Sequence, residues 1–155
     1  MKNPEYLIAE ILREDLKIPF SNLQLKSVGG GSINETFRVS LDSNKHFFLK
    51  LNSSRSYPAL FEKEKSGLSF LAQQKIILIP EVVACKTVDD IQLLLIEWID
   101  SGLKDRIFWQ SFGEQLAKLH HVSDTQFGFY EDNYMGALPQ INSNKKSWID
   151  FFIHC

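Results

Sequence analysis

Gly29-Gly30-Gly31-Ser32, Lys50 and Glu64 are the residues of this chain whose types and order could do chemistry together. Consecutive glycines let a backbone approach an anion with no Cβ in the way, and leave amide N–H groups free to donate to its oxygens. Lys50 ends the apolar run Phe47-Phe48-Leu49. Its ammonium could snorkel out along a half-buried strand, or enter a site and pair with phosphate oxygens. Glu64 follows at a helical position, where a carboxylate can steer such an ammonium; nearby Glu62 reads instead as part of an exposed acidic face. Taken singly, each feature has a plain structural alternative, and the glycines alone could be a flexible hairpin connection. Their conjunction, in this order, points to a nucleotide's phosphates.

A fourth stretch, Glu97-Trp98-Ile99, ends an apolar strand before Asp100-Ser101-Gly102. Backbone N–H and C=O groups there could bind an adenine edge while apolar side chains sandwich the ring. The segment could equally be a mere strand terminus, and the residues leave both readings open.

The elements that must position these residues follow from the apolar periodicity. Asn3-Pro4 starts a helix, with Asn as cap and Pro at the first helical position. Leu7, Ile8, Ile11, Leu12 and Leu16 then recur at helical spacing, which predicts a helix over about 4–16. Alternation takes over from Leu23, giving strands before the glycines, over 33–41, and over 46–51 after the turn residues Asp42-Ser43-Asn44. Pro58 opens a helix to about Gln74, with Leu60, Phe61, Leu68 and Leu71 on one side and Glu62 to Lys65 mostly on the other. A hairpin follows, 82–88 and 91–98 around Asp89-Asp90, then a helix over about 104–121, a loop-rich stretch over 123–147, and the apolar cluster Trp148, Phe151, Phe152 and Ile153. The expected fold is α+β: a five-stranded antiparallel sheet with one long helix inserted after the third strand.

Composition excludes several classes. The chain has 155 residues, 44% of them apolar, and twelve are Phe, so a packed core is expected and disorder is not. Seventeen basic against nineteen acidic residues leave a net charge of -2, which is no footprint for nucleic acid. No apolar run reaches the eighteen or so residues of a membrane span, and the N-terminus lacks the pattern of a secretory signal. Cys85 and Cys155 have no CxxC spacing and read as reduced thiols of a cytoplasmic protein; His46, His120, His121 and His154 show no ligand-like spacing with them. His120, near a helix C-terminus, is placed as a cap.

Glycine loop, strand lysine, helix glutamate and strand-end hinge occur in the order of a protein-kinase-like N-terminal lobe. Gly29 and Gly31 fit the protein-kinase GxGxxG, although Asn34 stands at its third glycine. The first two thirds resemble the fold shared by aminoglycoside and choline kinases. With Gly113, Leu116-Ala117, Leu119-His120, Phe127-Gly128-Phe129, Asn133, Gly136, Pro139-Gln140, Asn142, Trp148 and Phe151-Phe152, essentially the whole chain resembles the fructosamine kinase (ketosamine-3-kinase) family. Phe127, Phe129, Trp148, Phe151 and Phe152 are expected as core or packing residues rather than substrate contacts.

The resemblance implies an ATP-dependent phosphotransferase using a divalent metal, Mg2+, that phosphorylates the 3-hydroxyl of a ketosamine, free or on a glycated protein lysine. It assigns Gly29, Gly30, Gly31 and Ser32 to the nucleotide loop, Lys50 to the phosphates, Glu64 to its ion-pair partner, and Glu97, Trp98 and Ile99 to the adenine edge. Several family enzymes carry Cys where this chain has Ser32, which would remove thiol redox control there. It divides the chain into a nucleotide-binding lobe, 1–101, and the beginning of a helical C-terminal lobe, 102–155. The family's catalytic loop, His-Gly-Asp-x-Trp-x-x-Asn, and its later metal-binding Asp occur nowhere in these residues. Losing a proton acceptor of this kind costs about 10²–10⁴ in rate, so the chain alone is expected to be nearly inert and to represent a truncated enzyme. Another small-molecule kinase of this fold, or a non-catalytic nucleotide-binding fragment, is the alternative.

Overall fold

The structure, a computed structural model, describes residues 3–29 and 33–154. Helix α1 (Pro4–Glu10) begins as the sequence predicts, with the Asn3 side chain accepting from the Glu5 N–H at 2.9 Å. It continues, however, as a π-helical turn, Ile11–Asp15, in which Leu16 N–H donates to Ile11 C=O. The wider turn lets Ile11 and Leu12 stay buried beside Leu7 and Ile8.

Strands β1 (Leu23–Ser27), β2 (Glu35–Leu41) and β3 (His46–Ser53) form the antiparallel meander. After helix α2 (Leu60–Gln73), strands β4 (Val82–Val88) and β5 (Ile91–Glu97) complete one five-stranded sheet of order β1-β2-β3-β5-β4. The expected sheet and the inserted helix are both present. Period-two alternation sorts the side chains between its two faces. Val39, Leu41, Phe47, Leu49, Leu51, Leu93 and Leu95 pack against α1, whereas Leu94 joins Leu60 and Phe61 of α2 on the other face. A bulge between Val82 and Ala84 corrects the phase of β4, so that Val82 and Cys85 both join the α2 cluster despite their odd spacing.

Helix α2 starts two residues later than Pro58 suggested, because Ala59 takes a left-handed conformation, φ 56°. No side chain caps it. Its Phe61 N–H is instead met by the side chain of Gln92, fully buried on β5, which also donates to the carbonyls of Ser53 and Tyr57. One buried amide therefore ties the β3–α2 connection to the sheet.

Helix α3 (Arg106–His120) is capped by the Asp105 carboxylate, which accepts from Phe108 N–H at 2.8 Å, and has His120 in its last turn. The stretch expected to be loop contains a short hairpin, β6 (Asn133–Met135) and β7 (Leu138–Gln140), turned at Gly136 with φ 62°. Helix α4 (Trp148–His154) follows. Of the residues expected in core or packing roles, none of Phe127, Phe129, Trp148, Phe151 and Phe152 is buried, but they pack ring to ring: Phe129 meets Phe70, and Trp148 meets Phe127 edge-on and lies tilted against Phe151 and Phe152.

Candidate nucleotide site

The α2-facing side of the sheet carries the polar residues of the site. Along β3, Phe48, Lys50 and Asn52 alternate onto it, beside Thr36 and Arg38 of β2. Lys50 Nζ reaches both carboxylate oxygens of Glu64 on α2, at 2.6 and 2.7 Å. The two side chains are only 18% and 31% exposed, and the ammonium also stands 5.7 Å from the centroid of the Phe61 ring. A charge-assisted contact so shielded from water fixes both rotamers more firmly than a surface pair would. The acidic residues of α2 are thus not all on the outer face: Glu64 turns inward, while Glu62 stays exposed and accepts from the Thr87 hydroxyl at 3.3 Å.

The β1–β2 loop is tied at both margins. Thr36 Oγ1 donates to Val28 C=O at 2.5 Å, and Val28 N–H donates to Thr36 C=O. On the other margin, Asn52 Nδ2 donates to Ile33 C=O and to Asn34 Oδ1. Gly30, Gly31 and Ser32 lie outside the described residues. Gly29 is described, and a Cβ there would meet nothing within 4 Å.

Lys50, Glu64, Ile33 and Asn34 open into one cleft of about 520 Å³, whose other walls include Leu68, Leu71, Asn133 and Tyr134. That volume is within the range of small-molecule sites, and the lining has the usual form of apolar walls with a few convergent polar groups. Toward the far end of the same sheet face, Arg38 lies over the Trp98 ring at 4.7 Å, and Phe48 tilts against Trp98 at 6.2 Å. Glu97 ends β5: its N–H donates to Glu81 C=O at 2.9 Å, and its carboxylate accepts from Glu81 N–H. Its own N–H is therefore committed to Glu81, just before β4. Trp98 and Ile99 lie past the last ladder pair, Phe47 with Glu97, so their backbone groups have left the sheet.

Sequence reasoning reached Lys50 and Glu64 but missed Thr36, Asn52, Lys63 and Tyr134. The strand period places Asn52 on the Lys50 face and could have found it. Tyr134 arrives from a hairpin remote in sequence, and nothing local announces it. Among the described residues no group of three or more His, Cys, Asp or Glu could hold a metal ion. The nucleotide itself fits what is present: a half-buried ammonium in a cleft whose wall includes Ile33 and Asn34.

A model of fructosamine kinase matches residues 5–154. The chain belongs to the fructosamine kinase family. It is 32% identical to a probable ketoamine kinase of Synechocystis over 96% of this chain and 50% of that protein. It is 35% identical to a chloroplastic protein-ribulosamine 3-kinase of Arabidopsis thaliana, over 83% and 40%. A crystal structure from Haemophilus somnus, provisionally named a fructosamine-3-kinase, superposes with a TM-score of 0.83 at 26% identity, over 95% of this chain and 50% of that one. The fold is the protein-kinase-like fold of these fructosamine kinases. The chain spans about half the length of the relatives it matches. No helix among the described residues is long and apolar enough to cross a membrane.

Proposed function

We propose that this chain supplies the nucleotide-binding part of an ATP-dependent fructosamine kinase, one that transfers the γ-phosphoryl group to the 3-hydroxyl of a ketosamine. The observation that carries the reading is the Lys50–Glu64 pair at 2.6–2.7 Å, set in a cleft that Ile33 and Asn34 also line. In phosphoryl transfer the protein acts by positioning and by electrostatics, and a lysine locked by a helix glutamate orients the phosphates. Lys50 would meet the phosphate oxygens, and the backbone of Gly29, Gly30, Gly31 and Ser32 would donate to them. Glu97, Trp98 and Ile99 would border the adenine, with the open N–H groups coming from Trp98 and Ile99. Residues 1–101 would form the nucleotide-binding lobe, and 102–155 the start of the helical one. Mg2+ would accompany the nucleotide; the proton-accepting aspartate and the metal ligands are assigned to no residue of this chain.

The acceptor class rests on the relatives' names, which include a ketoamine kinase and a protein-ribulosamine 3-kinase. Small ketosamines and glycated protein lysines are both within it. A cytoplasmic location goes with ATP use and with the free thiol of Cys85.

Calorimetric titration with Mg-ATP tests the nucleotide site. Lys50→Ala is expected to weaken binding by about tenfold, equivalent to roughly 1.4 kcal/mol; unchanged affinity would remove the phosphate contact from Lys50. A chimera joining this chain to the remaining half of the Synechocystis relative tests the acceptor. Release of ADP with fructosyl-lysine, and none with choline or an aminoglycoside, is the expected result.

A further inference from the structure

The segment 129–142 gives Asn133, Tyr134 and Gly136 to the wall of the cleft, and it also lies across α2 and touches both ends of that helix. At the start of α2, Tyr134 Oη donates to Pro58 C=O at 3.0 Å, and its ring meets Tyr57 edge-on at 6.2 Å. The same ring packs against the Leu60, Phe61 and Leu94 cluster. Lys63 Nζ, one position before Glu64, donates to Asp132 C=O. At the far end, Phe70 meets Phe129 edge-to-face, centroids 5.3 Å apart. The segment is itself braced: buried Asn142 donates its N–H to Asp132 Oδ1 at 2.7 Å and its Nδ2 to Glu131 C=O.

The way α2 begins gives this contact a purpose. A left-handed alanine costs about 1–2 kcal/mol and persists only where its surroundings over-determine it. Ala59 is that residue, placed between Pro58, which accepts from Tyr134, and the first turn of a helix that no side chain caps. Relaxation of Ala59 would swing α2 about its N-terminus and withdraw Glu64 from Lys50. Gln92 restrains that N-terminus from the sheet side only.

We propose that the β6–β7 segment, acting through Tyr134 and Lys63, is the brace that keeps α2 oriented so that Glu64 engages Lys50. Tyr134 and Lys63 are then positioning residues for the nucleotide site. The consequence for binding rests on the nucleotide reading of Lys50; the bracing itself does not.

The test uses the 155-residue chain with Tyr134→Phe and Lys63→Met combined, which removes both polar contacts but keeps the ring and the apolar stem. Amide exchange along α2 and the magnetic-resonance signal of the Lys50 ammonium require no nucleotide. The expected result is faster exchange in α2 with β3 and β5 unchanged, an altered ammonium signal, and Mg-ATP affinity weakened by about fivefold or more, the lower end of ordinary coupling between sites. In a Glu64→Gln background the same pair of substitutions is expected to cost no further affinity, because no ion pair remains to be positioned. Equal losses in both backgrounds, or α2 exchange that does not move, overturns the proposal. Phe129→Leu, which loosens only the far end of α2, is the second variant and is expected to speed exchange there. Should the unaltered chain bind no Mg-ATP, the nucleotide reading fails on its own, and exchange in α2 with the Lys50 signal still decides the bracing.

Discussion

Lys50 and Cys85 both face α2, yet their surroundings act on them in opposite ways. Lys50 finds a carboxylate and is kept in place by it. Cys85 finds too little of the cationic help that activates thiols: burial pushes its pKa up to about 11, with Glu62 and Glu64 adding to the rise and Lys65 only partly opposing it. Against the ordinary value of 9.0, that leaves the thiolate population at pH 8 about 100-fold smaller. Cys85 should therefore be alkylated by iodoacetamide at pH 8 about two orders of magnitude more slowly than in the urea-unfolded chain, a rate readable for this residue alone by mass spectrometry. The sign for stability follows from the same raised value. Between pH 9 and 11 the unfolded thiol has lost its proton while the folded one retains it, so this contribution to stability is intact below pH 9 and falls away across that interval. One side chain facing α2 is thus made inert by its surroundings, while Lys50 on the same face is held by an ion pair.

At the scale of elements, glycine positions separate two kinds of constraint. Gly128 has φ 127°, and a Cβ there would lie 2.7 Å from Asn142 O and 3.1 Å from Asn144 Cα, both backbone atoms. Gly136 has φ 62° but open space around it. Gly128→Ala should therefore cost about 2 kcal/mol or more and speed exchange of the Phe127, Phe129 and Lys145 amides, whereas Gly136→Ala should cost only the left-handed penalty, about 1 kcal/mol. The two glycines look alike in the sequence; only the chain segments folded back beside Gly128 distinguish them. Other features divide in the same way. The strands were legible because alternation such as Leu23, Leu25 and Phe37, Val39, Leu41 is local and binary. The Lys50–Glu64 pair was legible because one closes an apolar run on a strand and the other lies on the next helix. The π-helical turn, the β4 bulge and the β6–β7 hairpin were not, since each is decided by partners distant in sequence: the sheet under Leu12, Leu94 opposite Cys85, and α2 beneath Tyr134.

Across the whole molecule, apolar burial is uneven. The sheet holds Val39, Leu49, Leu93 and Leu95 at 0% exposure, whereas no residue of α3 or α4 is buried. Helix α3 comes within 8 Å, Cα to Cα, of no other helix or strand among the described residues. Its apolar residues Ile107, Phe108, Trp109 and Phe112 are exposed and meet mostly one another, Phe108 stacking on Phe112 at 6.0 Å. Fifteen residues are marginal for a helix without tertiary support, and an apolar stripe of this size seeks cover. In dilute solution the amides of α3 should exchange by local opening, with protection close to that of an isolated peptide. Those of Leu49, Leu93 and Leu95 should exchange only on global unfolding. As concentration rises, protection of α3 should rise with it while the sheet stays unchanged, because a second copy of the chain then offers exposed apolar surface that can cover the stripe. Exchange mass spectrometry over a concentration series reads both trends at once. Full protection of α3 at the lowest concentration would mean that the helix is stable by itself, without burial of its apolar side chains.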